Sequence, residues 1–153
     1  MDLKIIKAED KHLNECKIAL QKSELGKVYF PEEDKVIKTI NEGIFKGEIF
    51  VAVNKECECL GFIWVISNGA FHSFPYLHII AVKEEYRSQG IGKKLLHYFE
   101  DTYSNMSTKL FLVVADFNPK AKKLYQNIGY KEVGIIPNLY RSGVSESLMM
   151  KEF

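Results

Sequence analysis

Two hydrophobic periodicities alternate along the chain and predict where its helices and strands lie. Apolar residues recur at helical spacing after Asp10, after Pro31 and after Gly90, and spacing by three and four residues is typical of one buried helix face. Runs of β-branched and aromatic residues predict strands at Glu48–Val53, Leu60–Ile66, Tyr76–Val82, Lys109–Ala115, Tyr130–Ile136 and Ser145–Lys151, after a short first strand around Ile5.

Local signals add helix boundaries to this pattern. Asn118 and Pro119 predict a helix start, with asparagine as N-cap and proline at the first position, and Gly129 predicts the end of that helix. Asp10 is predicted to cap the first helix, and Pro31 to lie in the first turn of the second. The order β-α-α-β-β-β-α-β-α-β-β predicts an α/β (α+β) fold. We expect a mixed, mostly antiparallel central sheet of about seven strands with about four helices on its faces.

The totals narrow the class of protein. A chain of 153 residues suits one compact domain, which we predict to span residues 1–153. The formal net charge of +1 gives no electrostatic support for a nucleic-acid partner. The charged start lacks the apolar region of a signal peptide, and no run reaches the ~18 apolar residues of a membrane span. We therefore expect a cytoplasmic protein that binds neither nucleic acid nor membrane.

Cysteine usage indicates neither a disulfide framework nor a metal site. The chain has three cysteines, an odd number, without the dense spacing of disulfide-rich domains. Cys57-Glu58-Cys59 has its thiols too close in sequence for a zinc or redox pair, and no second pair of ligands occurs elsewhere. This segment is predicted to be a turn between strands, and no metal is expected.

The segment from Ile79 to Leu96 carries the most specific chemical pattern. A buried strand runs into a polar turn, then into Gly90 and Gly92, then into an amphipathic helix. Glycine allows close approach of backbone to a ligand, and the free N–H groups and dipole of a helix start bind phosphates. Cations at this helix start (Arg87, Lys93) oppose the dipole unless an anion binds there.

The next predicted helix repeats this arrangement of charge, with Lys122 and neighbouring lysines near its start. A polyanion that bridges both helix starts would turn each unfavourable charge into a favourable one. Lys122 is therefore a candidate cofactor-binding residue. Solvated lysines and glycines that serve only a turn are the alternative.

Other phosphate motifs fit the sequence less well. The P-loop string G-x-x-x-x-G-K-[ST] does not occur. The dinucleotide fingerprint needs a third glycine and a place at the start of a βαβ unit, and Gly90-Ile91-Gly92-Lys93-Lys94-Leu95 has neither. A nucleotide-binding domain remains an alternative that lacks a motif.

Arg87-Ser88-Gln89-Gly90-Ile91-Gly92 resembles the [QR]-x-x-G-x-[GA] motif of the GCN5-related N-acetyltransferase (GNAT) family. The segment Asn118–Tyr125, followed by Ile128-Gly129-Tyr130, also resembles that family. The predicted order of elements matches the family's fold over nearly the whole chain. Two motifs in this order are more specific than either one alone.

The resemblance implies acetyl-CoA as co-substrate and assigns residues to it. Backbone groups of the strand end would bond the pantetheine arm, at Ile80, Ala81 and Val82. Amides of the following loop would hold the pyrophosphate, at Arg87, Ser88, Gln89, Gly90, Ile91, Gly92 and Lys93. Asn118 matches a position that contacts pantetheine, and Tyr125 matches the general acid. These two residues are seven apart, close to two helical turns, so both can face a cleft where the strands ending at Val82 and Ala115 separate.

Amine acetylation also needs a proton acceptor, because only ~0.1% of a lysine-like amine is neutral at pH 7. His78 is the candidate base, since its unperturbed pKa of about 6.5 suits that role. A water chain is an alternative, as is a histidine that only packs within its strand. Other family members carry a glutamate nearby, and this sequence has no carboxylate between Ser73 and Val82. Tyr125 would protonate the leaving thiolate, unless it serves only packing.

The acceptor is the least determined part of the prediction. Gly26–Phe30 and Gly69–Tyr76 are rich in aromatic residues, which predicts an acceptor pocket, packing of an apolar edge or a homodimer contact. We expect the acceptor to be a small-molecule amine or a peptide amine, and an acyl group larger than acetyl is an alternative. A non-catalytic acyl-CoA sensor is the second hypothesis: Tyr125 favours the enzyme, and the missing carboxylate favours the sensor.

Overall fold

Seven strands and five α-helices form the computed structural model, which describes residues 2–153. Met1, the first residue of the predicted domain 1–153, lies outside the described residues. The strands are β1 (Lys4–Lys7), β2 (Ile49–Val53), β3 (Cys59–Ala70), β4 (Phe74–Val82), β5 (Lys109–Ala115), β6 (Lys131–Pro137) and β7 (Ser145–Glu152). The helices are α1 (Leu13–Gln21), α2 (Glu24–Tyr29), α3 (Glu33–Phe45), α4 (Ile91–Tyr103) and α5 (Pro119–Asn127).

The strands form a mixed sheet in the order β1-β2-β3-β4-β5-β7-β6. The ladders β1–β2, β2–β3, β5–β7 and β6–β7 are antiparallel, and β4–β5 is parallel. The parallel ladder pairs Tyr76 with Phe111 and Leu77 with Leu112. The predicted fold class is therefore confirmed, with five helices in place of four.

Two helix starts differ from their prediction. Asp10 does not cap α1; it begins a short 3-10 turn, Asp10–His12, and α1 follows at Leu13. The Glu9 N–H donates to His12 Nδ1 at 2.9 Å, which fixes the entry to this turn. Pro31 lies before the N-cap of α3, because that cap is Glu32 and the helix begins one residue later.

The short helix α2 was not predicted, because six residues are too few to show a helical period. Its N-cap is Ser23, whose Oγ accepts a hydrogen bond from the Gly26 N–H at 3.0 Å. Gly26 is buried against the end of α1, where an added Cβ would lie 1.7 Å from the Leu20 carbonyl oxygen. Only glycine permits this close approach of two backbones.

The chain consists of two compact units. The first unit contains the residues up to Val65 together with Ile79–Phe99, and the second contains Ile66–His78 together with Glu100–Phe153. Fully buried side chains of the first unit include Val36, Ile40, Ile49, Phe62 and Leu95. Those of the second unit include Leu110 and Met149. Burial of such apolar side chains is the main favourable contribution to folding.

The three cysteines are free thiols. Cys57 lies in the turn between β2 and β3, as predicted, and Cys59 begins β3. Within residues 2–153, no helix has both the length and the apolar character that crossing a membrane requires.

Replacing Gly26 with alanine should destabilise the protein. The new Cβ would overlap the Leu20 carbonyl oxygen, and overpacking against rigid backbone costs about 1–3 kcal/mol or more. We expect urea denaturation to show this loss in the free energy of unfolding. Gly134→Ala is the matched control, because no atom lies within 4 Å of its added Cβ. Equal stability of both variants would contradict the packing of α2 on α1.

Candidate active site

The turn between β4 and α4 presents backbone N–H groups at a helix start. Ser88 and Gly90 both adopt left-handed backbone conformations, with φ of 64° and 83°. α4 begins at Ile91, and the Lys94 N–H donates to the Gly90 carbonyl at 3.0 Å. The N–H groups of residues 90–93 precede that bond and have no acceptor within the helix. Such a helix start binds phosphate groups, which have oxygen acceptors and negative charge.

The two glycines of this turn are present for different reasons. Position 90 favours glycine because its φ is positive. Steric crowding is not the reason, because no atom lies within 4 Å of an added Cβ. Gly92 has no positive φ, and its added Cβ would lie 3.8 Å from Val82 Cγ2, an ordinary contact. Packing within the first unit therefore does not account for Gly92, whereas the close approach of a bound ligand would.

Arg87 holds this turn in place through its side chain. Its Nε donates to the Val82 carbonyl at 3.2 Å, and Nη2 donates to the Lys22 carbonyl at 2.8 Å. Its backbone N–H donates to the Glu84 carbonyl at 3.3 Å. Because this amide already has an acceptor, the amide donors available to an anion begin after it, at Ser88. The sequence had placed Arg87 among the anion's amide donors and cations.

The end of β4 is largely covered by neighbouring residues. Ile80 and Val82 are half-buried and Ala81 is buried. The Ala81 carbonyl faces β3, where an added Cβ on Gly61 would lie 2.7 Å from its oxygen. The ladder with β5 ends at Leu77, and β4 runs on to Val82. The predicted contact of Ile80–Val82 with pantetheine stays a prediction.

Lys122 has a partner that the sequence did not reveal, whereas Asn118 has the capping role that the sequence predicted. Lys122 Nζ lies 2.8 Å from Glu132 Oε1 in a half-exposed ion pair. The Lys122 ammonium beside it holds the pKa of Glu132 below its usual range. Asn118 is the predicted N-cap of α5, and its Oδ1 accepts from the Ala121 N–H at 3.4 Å. Cofactor contacts of Lys122 and Asn118 stay predictions.

Tyr125 is buried on α5, with 7% of its surface exposed. Its ring packs edge-on against Tyr130, with centroids 6.1 Å apart. Burial raises the pKa of the Tyr125 phenol above its ordinary value, because the ionised form is poorly solvated. The phenol therefore keeps its proton at neutral pH, as a proton donor to a leaving thiolate requires.

His78 is half-buried on β4. Its ring centroid lies 6.1 Å from that of Tyr76, two residues earlier. Residues two apart in a strand project from the same face, so both side chains belong to one face of the sheet. The structure thus places the candidate base beside a phenol that sequence reasoning had counted only among aromatic loop residues.

Polar side chains from distant parts of the second unit lie near Tyr76. Its hydroxyl oxygen lies 3.3 Å from that of Tyr140, in the loop between β6 and β7. Glu146, on β7, is 1% exposed. Burial raises the pKa of Tyr76, and nearby Tyr140, Glu146 and Tyr125 raise it further. Sequence reasoning missed Glu146, although an acidic residue inside a predicted terminal strand was a usable signal.

A cavity of about 570 Å³ opens in the first unit. The start of β1, the turn between β2 and β3, and Lys94 line it. None of the residues that the sequence assigned to catalysis or to the cofactor is in its lining, so this cavity does not identify the site.

The family model for the acetyltransferase (GNAT) domain matches residues 20–153. The chain therefore belongs to the GNAT acetyltransferase family, as its two motifs predicted.

Individual relatives agree with this assignment. An uncharacterised N-acetyltransferase of Methanocaldococcus jannaschii is 37% identical over 79 residues, which are 49% of this chain and 51% of that protein. The thialysine N-epsilon-acetyltransferase of Sus scrofa is 39% identical over 59 residues, 38% of this chain and 35% of that protein. The chain thus spans about half the length of these curated relatives or less.

A solved structure is similar over the full length. Naa50 of Arabidopsis thaliana, in complex with the bisubstrate analogue CoA-Ac-MVNAL, superposes with a TM-score of 0.75 at 25% identity. The match covers 100% of both chains.

Burial of Tyr125 predicts a loss of stability at high pH. Its folded-state pKa lies above the unfolded value of about 10, so its contribution is complete below pH ~10 and is lost as pH rises beyond that. We expect the free energy of unfolding, from urea titrations between pH 8 and 11, to fall less steeply for Tyr125→Phe than for the wild type. If the free energy of unfolding changed with pH in the same way for both proteins, the burial of this phenol would be contradicted.

Proposed function

We propose that this protein transfers the acetyl group of acetyl-CoA to a primary amine. The observation that carries the proposal is the start of α4. Backbone N–H groups lie there beside Gly92, and packing within the first unit does not require glycine at that position. Membership of the GNAT family supports it. The buried, protonated phenol of Tyr125 supplies a group suited to the chemistry.

In this proposal the cofactor is bound mainly by backbone. The pyrophosphate accepts hydrogen bonds from amides of Ser88–Lys93, and the helix dipole favours its charge. The pantetheine arm bonds backbone groups of Ile80–Val82, beyond the end of the β4–β5 ladder. Asn118 contacts the same arm. Arg87 acts as a positioning residue, because its two side-chain hydrogen bonds fix the turn to Val82 and Lys22.

The reaction proceeds by direct attack in a ternary complex. His78, or a water chain, removes a proton from the acceptor, and the neutral nitrogen attacks the thioester carbonyl carbon. A backbone N–H near Val82 stabilises the oxyanion. The carbon–sulfur bond then breaks, and Tyr125 protonates the thiolate to give the free thiol of CoA. Of the three protons on the acceptor ammonium, one stays on the product amide, one reaches solvent through the base, and one restores the phenol of Tyr125 after it has protonated the thiolate.

The relatives indicate the range of acceptors to test. The Arabidopsis thaliana Naa50 structure contains an analogue that joins CoA to the peptide MVNAL, and the Sus scrofa relative is named for thialysine. We propose a peptide amine or a small aliphatic amine as the acceptor here. Calorimetric titration with acetyl-CoA, followed by release of free CoA with a panel of both kinds of amine, tests the function. Binding without release would instead support a non-catalytic sensor, and no binding would refute both.

Tyr125→Phe should lower kcat by about 10²–10⁴-fold, the usual contribution of general acid–base catalysis. Its affinity for acetyl-CoA should be unchanged, because the substitution removes only the phenol oxygen. Steady-state CoA release and calorimetry measure the two quantities. Tyr103→Phe, at a buried tyrosine near the end of α4, is the control and should retain activity. An equal loss of affinity and turnover would remove the acid role from Tyr125.

Charge reversal at Lys93 should weaken acetyl-CoA binding. This exposed residue lies in the first turn of α4, where an added carboxylate would repel the pyrophosphate. We expect about a tenfold rise in Kd for Lys93→Glu at low salt, with a smaller effect at high salt. Lys38→Glu, an exposed reversal on α3, gives the same change of net charge and should bind normally. The same Kd for both variants would contradict an anion at α4.

A further inference from the structure

A buried ion pair lies in the second unit without belonging to any role assigned above. Glu100, on α4, is 6% exposed, and its Oε2 lies 2.9 Å from Nζ of Lys151 on β7. Removing a carboxylate from water is costly unless a cation compensates it. Glu100 therefore fixes the position of the Lys151 ammonium at the end of a long side chain.

Lys151 packs in turn on the segment that follows α5. Its Nζ lies 5.9 Å from the ring centroid of Tyr130 and 5.2 Å from that of Phe153. Gly129 has a φ of 106°, and a Cβ added to it would lie 3.2 Å from Lys151 Cε. Glycine at position 129 thus leaves room for the Lys151 side chain beside Tyr130. The ammonium is attracted to the face of the aromatic ring.

Tyr130 also contacts the proposed general acid. The rings of Tyr130 and Tyr125 pack edge-on, with centroids 6.1 Å apart. The Tyr130 N–H donates to the Tyr125 carbonyl at 3.0 Å. Both side chains are buried, with 2% and 7% of their surface exposed. Because the interior of a protein is closely packed, neither ring can move far without displacing the other.

The orientation of the Tyr125 ring matters to the proposed reaction. Helical backbone allows a tyrosine more than one rotamer, and packing against neighbours selects among them. A proton donor must lie within hydrogen-bond reach of the atom that it protonates. Misplacement by ~1 Å can lower a rate about 10²-fold. The ring that packs against Tyr125 therefore bears on its ability to protonate the leaving thiolate.

We infer that Tyr130, held by the Glu100–Lys151 ion pair, is a positioning residue that orients the phenol of Tyr125 toward the leaving thiolate. The inference rests on the proposed acetyl transfer and adds these three residues to its machinery. The contacts run from Glu100 to Lys151, then to Tyr130 and Tyr125, all within the second unit. Because this effect passes through Tyr125 alone, it concerns kcat and not the binding of either substrate.

The first test is Tyr130→Leu, which removes the aromatic ring and keeps an apolar side chain. We expect kcat to fall about 10–100-fold, with KM for the amine and Kd for acetyl-CoA unchanged. Tyr130→Phe keeps the ring and should recover most of the wild-type kcat. Steady-state CoA release gives kcat and KM, and calorimetry gives Kd together with the fraction of molecules that bind, by which each rate is divided.

A double-mutant cycle separates positioning from packing of the core. In Tyr125→Phe no phenol remains to be oriented, so the addition of Tyr130→Leu should lower kcat no further. An equal loss in both backgrounds would overturn the inference. Ile40→Ala, in the core of the first unit on α3, is the control. It should lower stability and leave kcat per folded molecule unchanged.

A second variant covers the case in which Tyr130→Leu does not fold. Glu100→Gln combined with Lys151→Met removes both charges together, so no buried charge is left unpaired. Tyr130 then loses its contact with the ammonium, and we expect kcat to fall about two- to fivefold at constant KM. Tyr125→Phe should again abolish this effect. An unchanged kcat would overturn the role of the ion pair in holding Tyr130.

The outcomes separate this inference from the proposed function. If the wild type releases no CoA with any amine, or if Tyr125→Phe keeps the wild-type kcat, the general-acid proposal fails and the positioning role fails with it. If Tyr125→Phe loses turnover and Tyr130→Leu does not, only the positioning role fails. A change in KM for the amine or in Kd for acetyl-CoA, without a fall in kcat, would likewise overturn it.

Discussion

The backbone N–H groups at the start of α4 are the constraint on which the site depends. They lie where the chain leaves β4, in a turn that needs left-handed backbone at Ser88 and Gly90. No residue within the helix can accept their hydrogen bonds. A phosphate satisfies such donors and also gains from the helix dipole. The proposed roles of the other site residues follow from acetyl-CoA that is held by its pyrophosphate at that point.

The sequence predicted elements whose signals are local. Asn118 and Pro119 started α5 where expected, because capping and proline geometry depend on adjacent residues. The strands were placed to within a few residues by their composition, although β3 runs on to Ala70. Helix α2 was missed because its six residues carry no measurable period. The one local feature that could have predicted α2 is Ser23, its N-cap. The reason for glycine at position 26 is the adjacent Leu20 carbonyl, which only the structure shows.

Side-chain partners were the harder part, because they come from distant segments. Arg87 was expected to serve an anion, and that contact stays a prediction; its side chain donates to the carbonyls of Val82 and Lys22. Lys122 was expected to face a polyanion, and it pairs with Glu132. Local reasoning cannot show which atoms a long, flexible side chain reaches.

A buried carboxylate, Glu146, lies on β7, far along the chain from β4. No acidic residue lies between Ser73 and Val82, which had favoured a sensor. Glu146 comes from β7 and projects from the same face of the sheet as Tyr76 because of ladder register.

The most direct measurement of the central claim is a backbone amide NMR titration with CoA. CoA and pantetheine share the thiol arm, but only CoA carries the diphosphate. We predict that CoA shifts the amide resonances of Gly90–Lys93 strongly, while pantetheine at the same saturation leaves them nearly unchanged. Amides of that turn that do not respond to CoA, or that respond equally to pantetheine, would contradict a diphosphate bound at the start of α4.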